Sequence, residues 1–395
     1  MKERISRMDK VIEIKNPWLR SAGWDGFWML SGIWLLIPLL LCANRPGALQ
    51  VMLIVGTALF WLSHRFATTY TAFCTPAYRD LVRMERVRFI VWPIIVALLT
   101  FAFMFAPNNL IQLDTWGKIQ ILGTIFFLYN SYHFGVQHYG VLSIYRIRSG
   151  QGHGGWLKGY ERFYCIAVGA ILVAIAQMCQ GAQVVSDSLI YHVVPREFFL
   201  KTFDILRIAV PVIIAGLSIV YLIGELNSRP VSRPKFLYVL GLMLQGILAY
   251  FLDPISFLIL WGVQHWLVSV ALGAHMAQND TSEVPKGSRW YGFWNIFNKG
   301  FWPTVFVLCL WSVLLAPLFE LAVHPGRMTT NDFLSKFSLL LANATLVKFF
   351  ISLNFISVYI HFIMDRAIFR FSDPNVRKIS VPLLFKPIAV EKEKA

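Results

Sequence analysis

Apolar residues in this chain come in long blocks rather than in alternation, and short polar segments carrying Lys, Arg, Asn and Pro separate the blocks. The hydrocarbon core of a bilayer is crossed by roughly 17–25 apolar residues of helix. Ten runs reach that range, near 27–43, 50–68, 88–106, 119–142, 163–180, 205–225, 236–252, 255–275, 301–321 and 336–363. The seventh and eighth are nearly continuous, and the dipeptide Asp253-Pro254 predicts a tight turn between them. Lipid offers no partner for a backbone N–H or C=O, so runs this apolar and this long are expected as helices. The pattern predicts an all-α fold: a polytopic membrane bundle of about ten helices. Residues 1–395 form a single integral membrane domain, preceded by a polar segment 1–26 and closed by a tail 366–395.

Composition supports this reading. Of 395 residues 57% are hydrophobic and only 14% charged, about half the charged share of a soluble domain, which excludes a soluble enzyme. The net charge of +15 raises the question of nucleic acid until the charges are placed between the spans. Ten crossings put both termini on one face. That face collects twenty-eight of the Lys and Arg residues, the other face seven, and Lys348 lies within the last helix. The positive-inside rule makes the richer face cytoplasmic and explains the basic balance without nucleic acid. Arg65, Arg146 and Lys235 count in this reading among the solvated cytoplasmic charges, and Arg366 and Arg370 as headgroup anchors. The expected location is a bacterial cytoplasmic membrane, crossed many times. The polar leader is too long for a cleavable signal peptide, so the first run is expected as one retained helix.

Other signals are weak. The five cysteines stand singly and read as packing residues. The glycines between Arg148 and Gly159 lack the strand–GK[ST]–helix context of a phosphate loop. The Asn-x-Thr triplets at Asn279 and Asn343 fall in a cytoplasmic loop and inside a helix, so neither suggests glycosylation.

The informative polar residues are histidines. His153, His192 and His324 fall in connections. The other six occupy even-numbered spans, always in the half nearer the basic face: His64, His133, His138, His265, His275 and His361. Residues three, four and seven apart share a helix face. Asn130, His133 and Gln137 form one stripe, and Asn354, Ser357, His361 and Asp365 another. His265, Ser269 and Gly273 make a third with Gln264 beside it, and His64 pairs with Thr68. Polar stripes on apolar helices should face the bundle interior, where they can converge. Neutral imidazole is the commonest metal ligand. One ring from each of four helices, His64, His133, His265 and His361, would suit iron, copper or zinc over magnesium or calcium. Asp365 is a further ligand or a catalytic acid–base group, and Gln137 the other catalytic candidate, with Gln264, Asn130 and Asn354 as orienting groups. His138 is rotated by about 140° from His133 and could ligate only a wide or dinuclear site, while His275, about 15 Å along its helix from His265, belongs at the cytoplasmic mouth.

The segment His133–His138 has the HxxxxH spacing of membrane desaturases, but their HxxHH boxes are absent. Four segments carry a closer likeness: HRFATTY from His64, YHFGVQHYG at 132–140, QHW at 264–266 and HFIMD at 361–365. In these the chain resembles the Brp/Blh family of membrane carotene dioxygenases. The resemblance implies an all-helical fold, non-haem iron held by histidines on different helices, and oxidation of a lipophilic substrate. A metal-dependent oxygenase acting on an isoprenoid or acyl chain, with membrane lipids around it and an external electron donor if its chemistry needs one, is the leading expectation. A proton-coupled transporter using the same His and Asp residues, and non-covalent haem held by a His pair, are the alternatives.

Overall fold

The computed structural model describes residues 17–151, 156–183, 196–228, 230–248, 252, 256–257, 259–282, 300–323 and 343–385. The fold is 87% helix, with no strand among the described residues. In chain order the helices are α1 (Ala22–Trp28), α2 (Ser31–Cys42), α3 (Pro46–Cys74), α4 (Arg79–Met84), α5 (Val87–Phe105), α6 (Thr115–Arg148) and α7 (Trp156–Gln183). Next come α8 (Arg196–Leu226), α9 (Arg233–Leu248), α10 (Gln264–Asn279), α11 (Phe301–Val323), α12 (Ala344–Ile368) and α13 (Pro374–Phe385). The turn expected at Asp253-Pro254, and the connections holding His153, His192 and His324, lie outside the described residues.

Among the described residues, four stretches are long and apolar enough to cross a membrane: α3, α5, α12 and residues Ile208–Leu226 of α8. Their outer faces carry bare aliphatic side chains, including Leu98, Leu99, Ile208 and Val212, each more than 60% exposed. In a soluble protein such patches are a liability; against lipid they are the expected surface. The first run is not the single helix expected. It breaks into α1 and α2, bent by 66°. The polar start of the run is anchored. Ser21 caps α1 by accepting from the Trp24 N–H, and the buried Asp25 carboxylate accepts from the N–H groups of Leu19 and Arg20 and from the Tyr145 hydroxyl. An acid tied down in this way fixes α1 in place, and α2 leaves it in a new direction.

The chain forms two compact units. The first comprises 1–49, 129–186 and 195–264, and the second comprises 50–128, 187–194 and 265–395. In the first, helices α6 and α7 cross at Gly135 and Gly169. A Cβ on either glycine would overlap the backbone of the other helix, so only glycine permits this approach. One end of this unit is held by charges. Lys235 forms ion pairs with the carboxylates of Glu161 (2.9 Å) and Glu225 (2.8 Å) and donates a hydrogen bond to the Gln151 side-chain oxygen (2.8 Å). Arg146 and the Tyr221 hydroxyl complete Glu161, and Gln151 and the Ser232 N–H complete Glu225. Arg146 and Lys235 are therefore buried network members rather than solvated loop charges. The same correction applies to Arg65 in the second unit.

In the second unit α12 packs on α3, α5 and α11. Phe362 stacks on Phe126, and Met104, Leu122, Ile351 and Phe355 form a shared apolar core. Within the expected tail lies α13, docked rather than loose: Ser380 hydrogen-bonds the Tyr78 hydroxyl, and Asn279 donates to the Leu383 carbonyl. Asn343 is the N-cap of α12, accepting from the Thr345 and Leu346 N–H groups, rather than a residue within a helix.

Removing one partner from a fully buried ion network leaves the others uncompensated, at a cost of about 3–5 kcal/mol. Lys235→Met should therefore lower the thermal unfolding midpoint of purified protein by several degrees. An unchanged midpoint, measured by intrinsic fluorescence, would show that the network adds nothing to stability.

Candidate metal centre

Three of the predicted histidines come together in the second unit, each from a different helix: His64 of α3, His265 of α10 and His361 of α12. Two of them follow a helix irregularity. A single π-turn, Thr57–Trp61, ends three residues before His64, and another, Ile259–Val263, ends two residues before His265. A π-turn inserts one residue into the helical ladder and so rotates the next turn of side chains by about 100°. The first has a visible partner: the Leu62 N–H donates across to the Ser312 hydroxyl of α11, and Ser63 donates to the Leu308 carbonyl. These bonds anchor α3 just before His64. On α10, Gly273 faces α3. A Cβ there would press on Ala67 and Thr71 at 3.3 Å, so the glycine lets the two helices approach, and the imidazoles with them.

The rings of His64 and His265 lie edge to face with centroids 5.2 Å apart, and those of His64 and His361 at 4.9 Å. All three residues are at most 5% exposed. One nitrogen from each falls within 4.8 Å of the other two. Nitrogens bound at about 2.1 Å to one tetrahedral ion stand about 3.4 Å apart, so closing on an ion needs only side-chain adjustments of about an ångström. Trp266 lies nearly parallel to His64 at 6.0 Å and walls that ring in. Asp365, one turn beyond His361, places Oδ1 at 3.3 Å from His361 Nδ1, with Thr68 beside the carboxylate. A carboxylate this close can turn to bond Nδ1, which would leave Nε2 to a metal, the arrangement that orients most histidine ligands. Imidazole nitrogens beside one carboxylate form a donor set that fits iron, copper or zinc.

The remaining predicted residues stand as follows. His133 and Gln137 stand on α6 in the first unit, His133 buried and Gln137 half-buried, and the buried Asn130 stands there too. His138, on the same helix, has Nδ1 2.6 Å from the Tyr238 hydroxyl and packs on Phe134. Among the described residues it belongs to no group able to hold a metal. Gln264, expected beside His265, has its side-chain oxygen hydrogen-bonded by Gln245. His275 is not at an open mouth: it is buried, and Nε2 donates to the Leu384 carbonyl of α13 at 3.0 Å. Asn354 and Ser357, on the stripe of His361, serve Arg65. The Arg65 guanidinium donates to the Asn354 side chain at 2.6 Å and to Ser357 at 3.0 Å, and lies over the Trp61 ring at 4.3 Å. Sequence reasoning missed Arg65 by assigning it to a loop, although it is the residue directly after His64. It also missed Trp266, although that residue sits in plain view in QHW.

Taken together, the fold and this cluster define an all-α protein with membrane-length apolar helices and a candidate histidine metal centre. No protein-family model, curated protein or solved structure matches the chain.

Loss of an orienting carboxylate typically weakens metal affinity 10–100-fold. Asp365→Asn should do so for zinc or ferrous iron in a chelator competition, while leaving the unfolding midpoint of the metal-free protein within a few degrees of wild type. Equal affinities would remove Asp365 from the centre.

Proposed function

We propose that the protein is a multi-pass enzyme of the bacterial cytoplasmic membrane, a His-ligated non-haem iron oxygenase acting on a lipophilic isoprenoid or acyl substrate. About ten spans with both termini cytoplasmic complete this reading, and the charge asymmetry between faces supports it. The observation that carries it is the meeting of His64, His265 and His361, from three separate helices, inside an apolar unit.

Ferrous iron held there would supply dioxygen activation, since three neutral nitrogen ligands leave coordination positions open. The chain's own residues perform the rest. Asp365, 3.3 Å from His361 Nδ1, is placed to orient that ring, and Trp266 limits the rotation of His64. The surrounding aliphatic side chains exclude water and accept a hydrocarbon chain, so the substrate reaches the centre sideways from the bilayer. Edge-to-face rings 4.9–5.2 Å apart leave no slot for a porphyrin, which weighs against haem. The close His361–Asp365 pair favours a proton-coupled transporter as the second reading.

Freshly purified protein should hold about one equivalent of iron, and His265→Ala less than about a tenth of it. With ferrous iron and dioxygen, wild type should convert a carotenoid or an acyl lipid to an oxygenated product, and the variant should not. Under half an equivalent of any transition metal, together with uptake driven by a pH gradient in metal-free proteoliposomes, would replace the oxygenase by the transporter.

A further inference from the structure

The second unit carries an open groove of about 510 Å³ that shares no residue with the histidine cluster. It lies where two membrane-length helices end together, at the start of α5 and just past the end of α12. Arg88 ties these ends by donating to the Arg366 carbonyl at 3.2 Å. Four charges line the groove, Arg88 and Arg370 against Glu85 and Asp373, so its net charge is zero. Arg88 bridges the two carboxylates at 2.8 and 3.1 Å. Arg370 is exposed, and no hydrogen bond or ion pair to a described residue occupies its guanidinium. Asp373 stays ionised: burial opposes its charge, but the Asn375 and Val376 N–H groups and Arg88 outweigh it and hold the carboxyl below its ordinary range.

The rest of the lining is apolar and bare. Trp92 is 53% exposed, Met84 67% and Val87 61%. Beyond Trp92 the exposed face of α5 continues through Ile94, Leu98 and Leu99, a stripe suited to an acyl chain. An amphipathic indole between a charged groove and such a stripe marks the headgroup level of a bilayer.

We propose that this groove binds the headgroup of a zwitterionic membrane phospholipid, specifically phosphatidylethanolamine. The phosphate meets Arg370, with Arg88 behind it, and the guanidinium fork matches two of its oxygens. The primary ammonium meets Glu85 and Asp373, whose free lone pairs accept its N–H groups, and the acyl chains run along the α5 stripe. A wholly anionic headgroup brings nothing to answer the two carboxylates, and a choline headgroup has no N–H to donate to them. Paired charges of both signs therefore select the ethanolamine lipid, and the apolar rim selects a lipid over a soluble phosphate ester.

The test is native mass spectrometry of the full-length protein, released from detergent after titration with dioleoyl phosphatidylethanolamine, phosphatidylglycerol or phosphatidylcholine. Phosphatidylethanolamine should be retained at least about fivefold more tightly than either of the others. Loss of one charge-assisted contact should lower that retention about five- to tenfold in Arg370→Ala. Trp92→Ala should lower it by a smaller factor, and both variants should unfold at the wild-type midpoint. Tighter retention of phosphatidylglycerol would overturn the charge argument, and equal retention of phosphatidylcholine would overturn the role of the carboxylates. Undiminished retention in both variants would place the lipid elsewhere.

Discussion

A polar group buried among apolar helices has no water to turn to, so it must find its partner within the protein. That constraint organises both units. Asp25 draws in two backbone N–H groups and a tyrosine hydroxyl and so anchors the start of α1. Lys235, paired with two carboxylates and bonded to Gln151, joins α9 to α7 and α8 through Glu161 and Glu225. Lys118 closes the end of α5 by donating to the Ala106 carbonyl and the Asn108 side chain. Apolar contact supplies most of the cohesion, but it is non-directional. The polar partners determine which faces meet.

The histidine cluster obeys the same rule under a harder geometric demand. Three imidazoles must arrive at one point from three helices whose axes stand 8–10 Å apart when packed. Small residues and hydroxyls make this feasible: Gly273 lets α10 approach α3, and Ser63 and Ser312 pin α3 to α11. The two π-turns adjust the phase of the helices just before His64 and His265. Such turns are costly interruptions, and they recur where a side chain must be aimed. Arg65 adds a permanent charge beside this centre, spread over Trp61, Asn354 and Ser357, and so ties α3 to α12 on the same stripe as His361.

The all-helical character, the placement of most apolar runs and the histidine-bearing stripes were legible in the amino-acid order, because block hydrophobicity and the 3.6-residue period are local properties. That His64, His265 and His361 share a centre could be read from their common depth and side of the chain. Local pattern could not separate charges lying at the end of a span from charges buried within it. Arg65, Arg146 and Lys235 all read as loop residues, because the acids and amides that bury them stand on other helices. The bend at the first run, the docking of α13 beneath Tyr78, and the engagement of His138 by Tyr238 and of His275 by Leu384 depend equally on distant partners. The linear order of residues thus determines which segments are helices and which faces are polar. Tertiary packing alone decides which polar face meets which, since a hydrogen bond or ion pair is specified by two positions at once, and proximity along the chain carries no information about the second.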